Sequence, residues 1–189
     1  EHEWPQDGDA PLVVVHAGAS APSRRWPAQR FGAVADALAR EHGARVVFTG
    51  SAEESALVAE ARMAMRAPSL SLAGRLSLGE LGALIARADL LVGNNSGPAH
   101  LAAALGTPVV DVYALTNPQH TPWQVPARVL SRDVDCRGCL KSRCPQGHHR
   151  CIAEVHVGEV AAAAVSLLEA ARRAPPHRLS GPLLQETTA

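Results

Sequence analysis

Short apolar runs and helix-patterned segments alternate along most of this chain, joined by loops rich in Gly, Ser and Pro. That alternation restricts the fold more than any other feature, because strands separated by helices pair in parallel. Leu12 to His16 is an apolar run after Pro11, followed by Gly-Ala-Ser, as in a strand buried on both faces. Pro27 then opens a helix in which Phe31, Val34, Ala35 and Leu38 have helical spacing, with Gly43 placed to end it in the left-handed conformation. Val46 to Phe48 predicts the second strand. Ser51 with Glu54, and Ser77 with Glu80, have the spacing of capping boxes, the first opening a helix that runs towards Pro68. Asp89 to Val92 and Val109 to Tyr113 predict two more strands, flanking an Ala-rich helix from Pro98 to Leu105 that Gly106 closes. Three prolines break regular structure between Thr116 and Pro126, a Cys-rich segment follows, and His156 to Arg173 predicts a last helix.

The predicted fold class is therefore α/β, a Rossmann-like, doubly wound parallel sheet with helices on both faces. The 189 residues suit one domain, expected over residues 1–173 and including the Cys-rich segment 136–151; the Pro-rich, polar residues 174–189 are expected to be a mobile tail. Aromatic residues make up only 3%, so Ala, Val and Leu must build the core. Eighteen basic residues balance 18 acidic ones, which disfavours a nucleic-acid partner, since no basic field is available to hold phosphates. No apolar run approaches the roughly 20 residues that span a bilayer, and Glu1 to Asp9 is too polar for a signal peptide. The expectation is a soluble, cytoplasmic chain without a transmembrane segment. No internal repeat is visible.

In such a sheet, ligands bind beyond the carboxyl ends of strands. The loop from Gly93 to His100 joins a strand to a helix start, and its unpaired amides form an anion site. Gly97 lets a ligand approach the backbone, Ser96 offers a hydroxyl and His100 lies in the first helical turn; a plain helix cap with a buried histidine is the blander alternative. The loop from Ala17 to Pro27 adds Arg24 and Arg25, whose planar forks suit a diphosphate, although a solvated surface pair is also common. Trp26 reads as a packing anchor. Glu54, in the loop from Thr49, reads as a helix cap and also as an acceptor for the hydroxyls of a ribose, neither role excluding the other.

Cys136, Cys139, Cys144 and Cys151 are spaced Cys-x2-Cys-x4-Cys-x6-Cys, which fits a structural zinc or iron site as well as it fits reduced thiols or disulfides formed after purification. His148 and His149 lie inside the cluster and offer substitute ligands. A zinc module for nucleic acid is disfavoured by the neutral charge.

The succession Gly-Ala-Ser, Arg-Arg-Trp-Pro, Gly-Ser-x-x-Glu, Asn-Ser-Gly-Pro-x-His-Leu-Ala-Ala-Ala-Leu-Gly-x-Pro-Val-Val, and Cys-x-x-Cys with Cys-Pro resembles the ADP-heptose lipopolysaccharide heptosyltransferases, glycosyltransferase family 9, over about residues 12 to 170. The resemblance implies one half of a GT-B fold, in which two Rossmann-like domains face each other, this chain being the C-terminal, donor-binding one. It implies a nucleotide-diphosphate sugar as ligand and a lipopolysaccharide or other glycan as acceptor. The transfer would invert the anomeric centre without a cofactor, in the cytoplasm or peripherally at the inner membrane. Ser20, Arg24 and the Ser96-Gly97 amides would meet the diphosphate, with His100 close by as a further candidate, and Glu54 would hold the ribose. Arg24 would neutralise charge on the leaving diphosphate. The general base would belong to the missing N-terminal, acceptor-binding domain. Asn95 departs from the family, which usually has Asp-Ser-Gly-Pro at this place, and that acid commonly contacts the donor sugar. A nucleotide-sugar-binding module without catalysis is the competing reading.

Overall fold

The computed structural model describes residues 10–173; the expected mobile tail from Ala174 onward lies outside them. Six strands form one sheet: β1 (Leu12–His16), β2 (Arg45–Thr49), β3 (Leu70–Ser71), β4 (Leu90–Asn94), β5 (Val109–Val112) and β6 (Ala127–Leu130). Their order is β3-β2-β1-β4-β5-β6 and every pairing is parallel. The helices are α1 (Ala28–His42), α2 (Ser55–Met63), α3 (Leu78–Ala86), α4 (Gly97–Leu105), α5 (Arg150–Ala153) and α6 (Val157–Arg173).

The pleat of β1 divides the core. Val13 and Val15 face a cluster built with Phe31 and Leu38 of α1, Val58 of α2, and Val160, Ala164 and Leu167 of α6. Val14, on the opposite face, packs with Ile85 of α3 and with Ala99 and Ala102 of α4. All-round burial explains why β1, β4 and β5 are almost wholly apolar. Each fully buried Val or Leu contributes about 1.5–3 kcal/mol. Trp26 is fully buried, meets Phe31 edge to face at 4.9 Å, and donates its indole N–H to the Val155 carbonyl at 3.2 Å.

Gly43 and Gly106 end α1 and α4 with φ of 65° and 79°, as the sequence predicts. Ser77 and Glu80 form the expected reciprocal capping box. Ser51 and Glu54 do not: Glu54 is itself the N-cap residue of α2, and its carboxylate turns back to accept the Ser51 amide at 2.9 Å. Two strands escape the sequence reading. β3 has two residues and β6 is largely exposed, so neither edge strand carries a continuous apolar run.

Candidate functional site

The strand order reverses between β1 and β4, and in doubly wound sheets the crevice beyond such a switch point is where ligands bind. Two loops flank it. One follows β1 and carries a 3₁₀ turn, Pro22–Arg24; the other follows β4 and enters α4. Asn94, fully buried at the end of β4, staples them together: its Oδ1 accepts the Trp26 amide at 2.9 Å, and its Nδ2 donates to the Ala17 carbonyl at 2.7 Å. Arg25 is spent on the same loop, donating from Nε to the Ala19 carbonyl at 2.7 Å.

An open cleft of about 420 Å³ lies at this edge, lined by Ser20, Arg24, Glu54, Asn95, Ser96, Gly97 and His100, together with His16 and His120. All seven residues singled out from sequence thus meet in one concavity. Arg24 Nε and Ser96 Oγ are buried polar atoms without a hydrogen-bond partner, a costly state unless something from outside supplies one. Ser96 holds the N-cap position of α4 but its side chain makes no capping bond, so helix capping does not explain it. The α4 N-terminus adds the positive end of a nine-residue helix dipole.

Glu54 forms the opposite wall. Its Oε2 lies 3.8 Å from His16 Nε2, while His16 Nδ1 shares a hydrogen bond of 3.1 Å with Thr49 Oγ1. Burial holds the His16 imidazole below its ordinary pKa, opposed by the Glu54 charge, so the ring is biased towards neutrality. Gly18 lies against this carboxylate: a Cβ there would come within 2.0 Å of Glu54 Oε1. His16 is a site residue that sequence reasoning missed, because the end of an apolar run marks it only as part of a strand. His120 was missed too, lying among prolines that read only as irregular structure.

Asn95 lines the cleft with almost all of its surface buried. Its Nδ2 donates to the His120 carbonyl and to Asp111 Oδ2 at 3.4 Å. Asp111 is fully buried, its Oδ1 has no partner, and burial pushes its carboxyl up to about 7, with the Asn95 hydrogen bond acting the other way. Nothing in the apolar run Val109 to Tyr113 marked Asp111 beyond its being a lone acid in a buried strand.

The Cys-rich segment sits behind the β1 loop. Ser23, in the turn that carries Arg24, donates its hydroxyl to the Lys141 carbonyl at 2.6 Å and its amide to Ser142 O at 3.1 Å. All four cysteines line one small cavity of about 20 Å³ with His148 and His149. They are free thiols. Among the described residues, no three or more His, Cys, Asp or Glu side chains are gathered as a metal-holding group, and of the two alternatives that the spacing left open the arrangement is that of reduced thiols. Three of the thiols have distinct surroundings. Backbone amides, first that of His149 and then those of residues 146–148, hold the Cys144 thiol below its ordinary pKa. Cys136 Sγ meets His148 Nε2 at 3.8 Å, and burial raises the Cys151 thiol.

Comparison with known proteins gives one consistent picture. A family model described as glycosyltransferase family 9 (heptosyltransferase) matches residues 2–149. The chain is 30% identical over 164 residues to lipooligosaccharide heptosyltransferase 2 of Campylobacter jejuni, an alignment covering 84% of this chain and 51% of that protein. The structure of a family 9 glycosyl transferase from Veillonella parvula superposes with a TM-score of 0.75 at 31% identity, covering 85% of this chain and 46% of that one. ADP-heptose lipopolysaccharide heptosyltransferase II of Escherichia coli superposes with a TM-score of 0.74 at 27% identity, covering 87% and 48%. The chain spans from a third to about half the length of the curated relatives it matches.

Proposed function

Since the chain belongs to glycosyltransferase family 9, we propose that it binds a nucleotide-diphosphate sugar and forms the donor half of a transferase. In this reading the enzyme moves a heptose or related sugar from an ADP-heptose-like donor to a lipopolysaccharide or other glycan. The observation that carries the reading is the pair of unpartnered buried atoms, Arg24 Nε and Ser96 Oγ, in a cleft at the switch point of the sheet. Both are hydrogen-bond donors, and the cleft adds the Gly97 amide, the Ser20 hydroxyl and His100. A diphosphate supplies the matching acceptors. Glu54, across the cleft, accepts from ribose hydroxyls.

The transfer is written as an inverting displacement. An acceptor hydroxyl attacks the anomeric carbon, the bond from that carbon to the diphosphate breaks, and the nucleoside diphosphate leaves with the electron pair. Arg24 meets the charge that develops on the leaving oxygens, where a fixed guanidinium is worth more than in water. The acceptor's proton goes to a base on a facing, acceptor-binding domain, and no residue among these 189 is assigned to it. No described helix is long and apolar enough to cross a membrane, and we infer a reaction at the cytoplasmic face of the inner membrane, where a nucleotide sugar and a lipid-linked acceptor meet.

Transfer itself needs no cofactor in this scheme. For Cys136, Cys139, Cys144 and Cys151 we propose a structural zinc or iron, which the four thiolates would hold. The donor chemistry fits, all four sulfurs line one cavity, and coordination of this kind is coupled to folding. Its place in the scheme is to stiffen the segment that grips Ser23, and through it the turn bearing Arg24.

Titration of the chain with ADP, GDP and UDP, each with and without an attached sugar, tests the reading. At least one nucleoside diphosphate is expected to bind, and the chain by itself is expected to transfer no sugar. Failure of all six ligands to bind at millimolar concentration would reject the donor-site assignment. Transfer by the purified chain alone would favour an enzyme complete without a facing domain.

A further inference from the structure

We propose that Asp111 is a positioning residue for the donor sugar: it fixes the side-chain amide of Asn95 so that Asn95 Oδ1 accepts a hydrogen bond from a sugar hydroxyl. The proposal rests on the donor-site reading above and deepens it.

The orientation of Asn95 follows from its partners. The His120 carbonyl can only accept, so the Asn95 nitrogen must face it, and the second N–H of that nitrogen is directed at Asp111 Oδ2. Both donors of the amide are thus engaged on the buried side. Asn95 also lines the cleft, and a planar amide whose nitrogen is tied down on one side offers its oxygen on the other. An acceptor fixed in that way matches hydroxyls, which are what a neutral, polyhydroxylated sugar presents.

Asp111 has no other evident purpose. It stands in β5 between Val110 and Val112, with both flanking residues fully buried, and no Lys or Arg pairs with it among the described residues. An uncompensated buried acid destabilises a fold, and residues that break a local rule in this manner cluster at working sites. Its one side-chain partner is Asn95, and Asn95 lines the cleft. The couple also accounts for an amide at position 95, where the family resemblance anticipates an acid. With Asp111 beneath it and the His120 carbonyl beside it, a carboxylate at 95 would lose both N–H donors that these oxygens now accept from and would crowd a second acid into the same buried place.

The experiment is isothermal titration of the chain with ADP and with ADP-heptose, for the native protein and for variants at both positions. The native chain is expected to bind ADP-heptose more tightly than ADP. Asp111→Ala should lose roughly three- to tenfold of that preference, one neutral hydrogen bond's worth, with ADP affinity unchanged. Asp111→Asn, which still offers an acceptor to Asn95, should keep it. Asn95→Asp should weaken ADP-heptose binding, and the exchange of the two residues, Asn95→Asp with Asp111→Asn, should restore it. Restoration by the exchange is a readout that a merely structural Asp111 would not give, and it stands even where Asp111→Ala fails to fold. The proposal is overturned if the exchange variant binds no better than Asn95→Asp, or if Asp111→Ala retains the full preference. It is also overturned if Asp111→Ala weakens ADP and ADP-heptose equally. A native chain that binds ADP without preferring ADP-heptose would sink this inference and leave the nucleotide site standing, whereas a chain that binds neither sinks the donor-site reading beneath it.

Discussion

Replacing Asp111 with Asn should change how the stability of the fold depends on pH. Asp111 is fully buried and its carboxyl is pushed up to about 7 by desolvation, against an ordinary value of 3.8. Between those values the unfolded chain has released the proton while the folded chain keeps it, so stability falls as pH rises. The stability that the neutral acid allows is complete below pH 3.8 and has gone above pH 7. One pH unit of displacement corresponds to 1.36 kcal/mol, so the whole effect is ~4 kcal/mol, of which about 3 kcal/mol is lost between pH 5 and pH 8. His16 acts in the opposite direction, because its lowered pKa makes the fold lose stability as pH falls below the ordinary histidine value of 6.5. Comparing each variant with the native chain at the same pH cancels that contribution. Asn at 111 has no proton to lose, so the native chain should fall by about 3 kcal/mol relative to Asp111→Asn between pH 5 and pH 8. For a domain of this size that is roughly 6–12 °C in melting temperature. Urea unfolding or calorimetry at the two pH values reads it directly. Stability curves that stay parallel within about 0.5 kcal/mol would refute the reasoning, since they would require Asp111 to be ionised and satisfied in the fold.

Four further outcomes follow from the same geometry. Arg24→Ala should weaken ADP roughly ten- to a hundredfold by calorimetric titration, the worth of one charge-assisted hydrogen bond, and unchanged affinity would remove Arg24 from the diphosphate site. Gly18→Ala would put a Cβ 2.0 Å from Glu54 Oε1 and displace that carboxylate, so ADP should weaken severalfold while inorganic diphosphate binds as before; equal loss of both would point to a collapsed loop. Gly32→Ala drives a Cβ to 1.9 Å from the Ala61 carbonyl, a backbone atom that cannot swing away, so it should lower stability by about 1–3 kcal/mol in denaturant unfolding, and a neutral result would mean that α1 and α2 are not in close contact. Metal analysis of reduced, untagged protein never exposed to chelator should find close to one equivalent of zinc and iron together, and less than about a tenth of an equivalent would rule out a site of the affinity expected of four thiolates.

The legible part of the fold is the part in which burial on both faces writes itself into composition. β1, β4 and β5 are central and apolar but for one polar residue each, and Gly43 and Gly106 mark helix ends because a left-handed residue without a side chain is needed there. The edge strands β3 and β6 are short or half exposed, and their pairing comes from the neighbouring strand, not from any pattern of their own. Ser51 and Glu54 have a capping-box spacing, yet the carboxylate serves the Ser51 amide and faces His16, because Gly18 and β1 bring another partner from 38 residues away. Local spacing cannot anticipate that.

The candidate site divides along the same line. Ser20, Arg24, Glu54, Ser96, Gly97 and His100 lie on loops at strand ends, where residue type and position in a βα unit already point to anion binding. The buttresses of those loops are long-range. Asn94 reaches the Trp26 amide 68 residues away, and Ser23 reaches the Lys141 carbonyl across 118. Asn95 appears as a departure when the loop is read alone, since an amide stands where an acid is expected. Set over Asp111, which lies 16 residues further on in a strand otherwise built of valine, the amide is what electrostatics requires. Two carboxylates stacked in the interior cannot both ionise at neutral pH, and an amide beside one carboxyl gives that carboxyl a donor while leaving an oxygen for the cleft. The meaning of position 95 is therefore held jointly with position 111, which is why neither residue discloses it singly.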